Sequence, residues 1–478
     1  MKKNLTGKLA CVLQLILSVT LMGEIHLLGI LPEKYEKLLA LVLAGCLVLC
    51  FLMQFMKKGM ARVFMVISFI ISAGLIVGIY EVSVADQALE KIANVDKEID
   101  NMVVVVKKDN PAKELKDAAD YRFGIQTTAD KDNTDKMVKK VSSIVGRKIL
   151  LSDTGNVSDL AQALLDGKVE AAIYNASFND MLEDNMEGYK EKVRVLYKFG
   201  LEKKVDNVKE KEAQPLKKGQ DSFNVYISGI DVSGPIQTKS RSDVNIIASI
   251  NTETKEILLT STPRDYYVPI PGVSGEARDK LTHAGIYGVD ASMRTLEQVY
   301  DVDLPYYTRV NFTSLIKLVD ILGGVDVESD YAFTSNAGGY SFNKGINHLD
   351  GKRALAFARE RYSFTDGDSQ RGRNQEKVLT AIIQKMLSPD VITRVNSIIG
   401  QMSDSMQTNI PQETISDLVK MQIADGAKWQ IGSQSVTGKG DSTTCFSMGS
   451  TNVYVMWPDE ESVGEAQDAM HKLLENQK

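Results

Sequence analysis

Cysteine is nearly absent from this chain: four in 478 residues, at positions 11, 46, 50 and 445. Three of them sit in apolar runs near the N-terminus, leaving Cys445 alone in the long polar remainder. That count and spacing exclude a disulfide framework and a cysteine-based zinc site. A large exported region without disulfides points to a bacterium that avoids cysteine in exported protein. A positive charge excess is also missing. The net charge is −6, which does not favour non-specific nucleic-acid binding. Histidine is scarce too, at four residues. His283, in K-L-T-H-A-G, and His348, in N-H-L-D-G, lack ligand partners at metal-site spacing and read as structural. There is no Walker A loop and no G-x-S-x-G. Ser314 and Lys317 form an S-x-x-K pair, but it falls in an amphipathic helical pattern and the accompanying K-T-G is missing.

What is present begins with three apolar runs, at residues 9–30, 38–56 and 63–84. Each is close to the roughly 20 residues that span a bilayer. No A-x-A-like site follows the first, so a cleaved signal peptide is disfavoured. Lys2, Lys3 and Lys8 precede the first run, and Lys57, Lys58 and Arg62 separate the second from the third. The intervening loop balances Glu33 and Glu36 against Lys34 and Lys37. The positive-inside rule then places the N-terminus in the cytoplasm and everything after about residue 84 outside. Glu24 and His26 fall at the outer end of the first run, where polar groups reach the interface. The expected organisation is α/β: a three-helix membrane anchor over 1–84, a charged helical stalk over 85–101, a small α/β accessory domain over 102–200, a Lys/Glu-rich linker over 201–221, and a larger layered domain with a mixed sheet over 222–478.

The larger domain carries the chemistry. Ten of the fifteen arginines lie between Arg241 and Arg373. Arginine presents a planar, permanently charged fork that matches phosphate oxygens. Acidic residues accompany it in S-R-S-D at 240–243, P-R-D at 263–265, R-E-R at 359–361 and D-S-Q-R-G-R-N-Q at 368–375. The mixture suggests a multi-phosphate ligand held partly through a divalent metal. Strands are expected at 223–230, 244–250 and 257–262, and the short turn at 251–255 makes the last two antiparallel. Arg241 and Asp243, just before one strand, then share a sheet edge with Arg264 and Asp265, just after the other. Asp231 joins them if strand 223–230 ends there.

Arg359 and Arg361 are two apart, and share a direction only if the chain is extended where a helix over 350–358 ends. Arg371 and Gln375, four apart at the start of a helix expected over 374–387, stack on one face near an anion-favouring N-terminus. Asp231 and Asp243 are the best metal candidates, because magnesium takes carboxylates together with substrate phosphates. Further helices are expected at 289–299, 312–322, 391–402, 414–422 and 460–474, with strands at 325–327 and 453–457.

The motifs S-G-I-D at 228–231, S-R-S-D-V-N at 240–245, T-P-R-D-Y-Y-V-P-I at 262–270, D-K-L-T-H-A-G-I-Y-G at 279–288, L-G-G-V-D-V at 322–327, R-E-R-Y-S at 359–363 and R-G-R-N-Q at 371–375 resemble the LytR–CpsA–Psr family, most closely its capsule-associated CpsA branch. The resemblance covers roughly 223–387. It implies an α/β/α domain that binds polyprenyl (pyro)phosphate lipid. It also implies a phosphotransferase, dependent on Mg2+ or Mn2+, that moves a lipid-linked polysaccharide onto peptidoglycan at a Gram-positive cell membrane, with pyrophosphatase activity on the side. Capsule-assembly proteins are implied partners. By motif, Asp231 and Asp243 hold the metal, while Arg241, Arg264, Arg359, Arg361, Arg371 and Gln375 hold the phosphates. Arg264 and Asp265 join the two aspartates in catalysis, with Asp231 or Asp265 as the base. Many members carry an arginine immediately before the glutamine. Here that place is Asn374, with Arg373 one position earlier, which removes Arg373 from the expected contacts. The alternatives are a non-catalytic carrier-lipid binder and a regulator of capsule synthesis. The short cytoplasmic segments cannot hold a DNA-reading module.

Overall fold

The structure is a computed structural model that describes residues 5–93, 97–204, 213–217, 219–230, 236–365, 367–388, 391, 395–402 and 405–475. Asp231, an expected metal ligand, lies outside the described residues.

Three helices, Leu5–Leu28, Glu33–Met53 and Lys58–Ala93, are each long and apolar enough to cross a membrane. Large apolar side chains such as Leu41 and Ile70 point outward, the reverse of a water-soluble bundle. Between the first and third helices, Ser68 donates a buried hydrogen bond to Gln14 at 2.7 Å.

The third helix does not end with its apolar run. Ala85 and Leu89, four apart on one face, are buried against Ile415, Val419 and Ile423 of helix Gln412–Asp425. Strand Lys97–Lys107 already belongs to the accessory sheet. The expected stalk over 85–101 is therefore a docked helix end followed by a strand. Its charged residues concealed the two apolar positions that fasten it.

The accessory sheet has five strands in the order Leu150–Asp153, Arg122–Ile125, Ala171–Asn175, Lys97–Lys107 and Val193–Lys204. Helices Lys131–Val145 and Val157–Leu165 cover it. Its core does not close on itself. Leu160, Phe178 and Leu182 cluster with Ile286, Met448, Val453 and Val455 of the following domain.

The main sheet has six strands in the order Met406–Thr408, Tyr306–Asn311, Ser222–Ile230, Ser242–Asn251, Glu256–Ser261 and Gln430–Ser435. The hairpin over 251–255 forms as its residues dictate. The Asn251 carboxamide accepts from the backbone N–H groups of Glu253 and Thr254 at 3.1 and 3.0 Å, closing an Asx turn, and Asn251 pairs with Glu256. Strand Ser222–Ile230 lies antiparallel to Ser242–Asn251 and parallel to Tyr306–Asn311, while Gln430–Ser435 runs parallel to Glu256–Ser261. Four strands therefore end where Ser242–Asn251 begins, the edge at which α/β sheets bind ligands.

Side chains alternate across the sheet. Tyr226 and Ile247 face helices Val289–Tyr300 and Glu460–Glu475. Phe223, Val225 and Ile246 face helix Gly367–Met386. The domain is thus an α/β/α layered fold with a mixed sheet. The edge strands Met406–Thr408 and Gln430–Ser435 carry no apolar alternation that would announce them.

Candidate active site

The sheet edge assembles the first cluster. Ile230 pairs with Ser242, and the Thr262 N–H donates to the Asn245 carbonyl at 2.9 Å. Segments 240–245 and 262–265 therefore run side by side. Arg264 Nη1 donates to Asp243 Oδ1 at 3.1 Å, and Thr282 Oγ1 donates to the same oxygen at 2.9 Å. Asp265 lies between Lys280 Nζ at 3.0 Å and Arg264 Nε at 3.7 Å. Burial alone would raise the Asp243 pKa. Arg264, Arg241, Arg371 and the Thr282 hydroxyl outweigh it and hold the carboxyl well below the usual range.

Gly285 makes this packing possible. A Cβ there would stand 2.6 Å from Ser242 N and 2.7 Å from Ser240 O, so only glycine lets the Arg241 segment lie against it. His283 Nδ1 is 2.6 Å from Asp279 Oδ1, both buried, and Asp279 Oδ2 accepts from the Ser447 N–H at 3.0 Å. Together with Cys445, they are the group of metal-ligating side chains that converges among the described residues. Both Asp279 oxygens are engaged, and the group clamps the C-terminal segment to strand Arg278–Lys280.

Helix Gly351–Arg359 ends at Glu360, whose φ of −67° and ψ of 131° are extended. Arg359 and Arg361 therefore both reach one cavity, as their spacing requires. Arg359 lies over the Phe312 ring at 4.2 Å and Arg361 over Tyr362 at 4.6 Å. Glu360 is buried and accepts from the Ser363 N–H at 2.9 Å and from the Asn336 N–H, which fixes the bend. Arg371 and Gln375 sit on helix Gly367–Met386, which starts seven residues before the expected 374. Arg371 is a full turn inside, so its attraction for anions comes from the guanidinium and not from free N–H groups of a helix start. The sequence at 367–373 is too polar to show helical periodicity. Contacts such as Gln370 to Asp330 and to Asn374, at 3.1 and 3.0 Å, hold that turn.

These elements enclose a cavity of 310 Å³. Arg241, Arg264, Arg359, Arg361, Arg371, Gln375 and Asp243 all line it. The rest of its wall is largely apolar, with Ile227 and Ile246 from the sheet and Leu315, Val378 and Ile382 from the helices. Asp265 lies elsewhere, on an adjoining cavity of 400 Å³ with Lys280 and His283. Arg373 also lies elsewhere, on a cavity of 530 Å³ with Arg371 and Gln375, its Nε donating to Gln370 at 3.0 Å.

Sequence reasoning missed Asp184, which also lines the 310 Å³ cavity. Asp184 of the accessory domain accepts from Arg241 Nη1 at 2.6 Å. Nothing in E-D-N at 183–185 separates it from an ordinary surface triplet. Burial works against the Arg241 charge, but Asp243 and then Asp184 outweigh it and raise the guanidinium pKa. The buried Arg241 Nε–H has no hydrogen-bond partner among the described residues.

An apolar cavity walled with cations suits an amphiphile with an anionic head. Residues 184–472 match the LytR_cpsA_psr family, and the chain belongs to it. It is 33% identical over 244 residues to the polyisoprenyl-teichoic acid–peptidoglycan teichoic acid transferase TagU of Oceanobacillus iheyensis, covering 49% of this chain and 73% of that protein. It is 34% identical over 203 residues to TagU of Enterococcus faecalis, covering 42% of this chain and 65% of that one. Among solved structures, TagT bound to LIIa-WTA aligns with 55% of this chain and 94% of its own, at 29% identity and a TM-score of 0.44.

Proposed function

We propose that this protein is a membrane-anchored phosphotransferase that moves a polyprenyl-pyrophosphate-linked glycopolymer onto peptidoglycan, with its N-terminus cytoplasmic and the region after about residue 84 outside. One observation carries the reading: a single cavity combines five arginines, Gln375 and Asp243 with an apolar interior. A polyprenyl pyrophosphate presents that same combination of charge and hydrocarbon. Phosphoryl transfer depends chiefly on positioning and on neutralising charge. The arginines would hold the pyrophosphate and stabilise the departing lipid phosphate. An acceptor hydroxyl would attack the sugar-side phosphorus, and the bond to the lipid phosphate would break.

The donor set suits a hard divalent cation. Asp243 is a half-buried, ionised carboxylate on the cavity wall, and Asp231 is the next residue after strand Ser222–Ile230. Mg2+ or Mn2+ held there would neutralise further phosphate charge. Resemblance to the CpsA branch favours capsular polysaccharide as the polymer, with capsule-assembly proteins as partners.

The test uses the full-length protein in lipid nanodiscs with Mg2+, a lipid-linked polysaccharide donor and peptidoglycan. Covalent transfer with release of polyprenyl phosphate is expected. Arg361→Ala and Asp243→Ala should each lower it by about 100-fold or more while circular dichroism stays native. Donor binding by the wild-type protein without transfer would sink the enzyme and leave a carrier-lipid binder.

A further inference from the structure

The cations of the site form a wall with space on more than one side. The 530 Å³ cavity shares Asp243, Arg264, Arg371 and Gln375 with the apolar one. Its character is different. The ends of strands Glu256–Ser261 and Gln430–Ser435 bring hydroxyl residues to it, among them Ser261, Ser433 and Ser435. A cavity of this size lined by hydroxyl groups suits a polyhydroxylated ligand rather than a hydrocarbon.

Glu376 also lines this cavity, one residue past Gln375. It is 4% exposed, and its Oε1 accepts from the Ser435 hydroxyl at 2.6 Å. Burial, only partly offset by the Ser435 and Ser433 hydroxyls and by the charges of Arg373 and Lys377, pushes its pKa up to about 7. Asp243, on the same wall, is by contrast held ionised by arginines.

We propose that the 530 Å³ cavity is the subsite for the acceptor saccharide, and that Glu376 takes the proton from its attacking hydroxyl. This rests on the transfer reading above. In-line displacement needs attacking and leaving oxygens on opposite sides of the phosphorus. With the lipid phosphate leaving toward the apolar cavity, the attacker arrives across the shared wall. The acceptor oxygen forms a bond to the sugar-side phosphorus, the phosphoanhydride bond breaks, polyprenyl phosphate keeps that electron pair, and the hydroxyl proton moves to the Glu376 carboxylate. No further reactant is required.

The test compares full-length wild-type, Glu376→Gln and Ser369→Trp proteins in nanodiscs, with the lipid-linked donor and a soluble peptidoglycan oligosaccharide. Glu376→Gln keeps the shape and the Ser435 contact. It should bind donor within twofold of wild type, lose about 100-fold in transfer, and lose the acid limb of the pH–rate profile near 7. Ser369 is an exposed residue on the same cavity. Its tryptophan variant should raise the acceptor KM at least tenfold while kcat and donor affinity hold. Wild-type transfer rates and pH dependence in Glu376→Gln, or a loss of donor affinity equal to its loss of transfer, would overturn the acceptor subsite alone. Absence of transfer by the wild-type protein would overturn the transfer reading and this subsite with it.

Discussion

Asp243 and Glu376 lie on the same cavity wall with opposite proton affinities, and the contrast is measurable as stability. The Asp243 carboxyl is depressed. Its contribution is therefore complete above its unfolded value of 3.8 and is lost as pH falls below that. Asp243→Asn should lower the unfolding free energy at pH 7 by about 3 kcal/mol, because it leaves buried cations uncompensated. Urea titrations of mutant and wild type should converge as pH drops below 3.8.

Glu376 is raised. Its neutral form contributes fully below 4.5, and that contribution disappears as pH rises through about 7. Glu376→Gln should accordingly stabilise the protein above pH 7, by on the order of 3 kcal/mol, and change little at pH 4. Thermal melts across that range would show it, and a destabilised variant at pH 8 would contradict it. The arginine–aspartate pairs were legible because charge is written directly in composition. Glu376 was not. In N-Q-E-K it resembles an exposed helical glutamate, and only a strand more than fifty residues later buries it.

Among the elements, the hairpin over 251–255 was readable because turn chemistry is local. The bend after Arg359 followed from a two-residue spacing. The start of helix Gly367–Met386 and the strand Gln430–Ser435 were not readable, since tertiary contacts hold both in place of apolar periodicity. The placement of Arg359 depends on how its helix packs. A Cβ on Gly351 would stand 2.2 Å from the Ile316 carbonyl oxygen, and the Gly351 N–H donates to Asp320 at 2.8 Å. Gly351→Ala should push helix Gly351–Arg359 off helix Phe312–Ile321. We expect transfer to fall by about 100-fold, since misplacement of about 1 Å has that effect on positioned groups. A donor-binding titration should show weakened affinity with the secondary structure intact.

Across the whole molecule, the accessory domain shares a core with the domain that follows it, and Asp184 reaches into the site. Composition and periodicity locate such a domain but say nothing of the face it presents. Met448 is fully buried in the shared core. Met448→Ala should cost about 2–5 kcal/mol and should destabilise both sheets together, as a single transition outside the apolar helices. Two separate transitions, one of them unshifted, would show that the modules fold independently.

The third helix carries a consequence of a different kind. No glycine or proline interrupts it between Ile79 and Ala93, and its far end is packed against helix Gln412–Asp425. At about 1.5 Å per residue, the 36 residues of Lys58–Ala93 form a rod of roughly 54 Å, against a hydrocarbon layer of about 30 Å. In a bilayer such a rod works as a spacer and not as a leash. It would hold the mouth of the arginine-lined cavity at a set altitude, so that on the transfer reading the molecule patrols the membrane plane freely yet serves only the layer of wall that hangs at that one height.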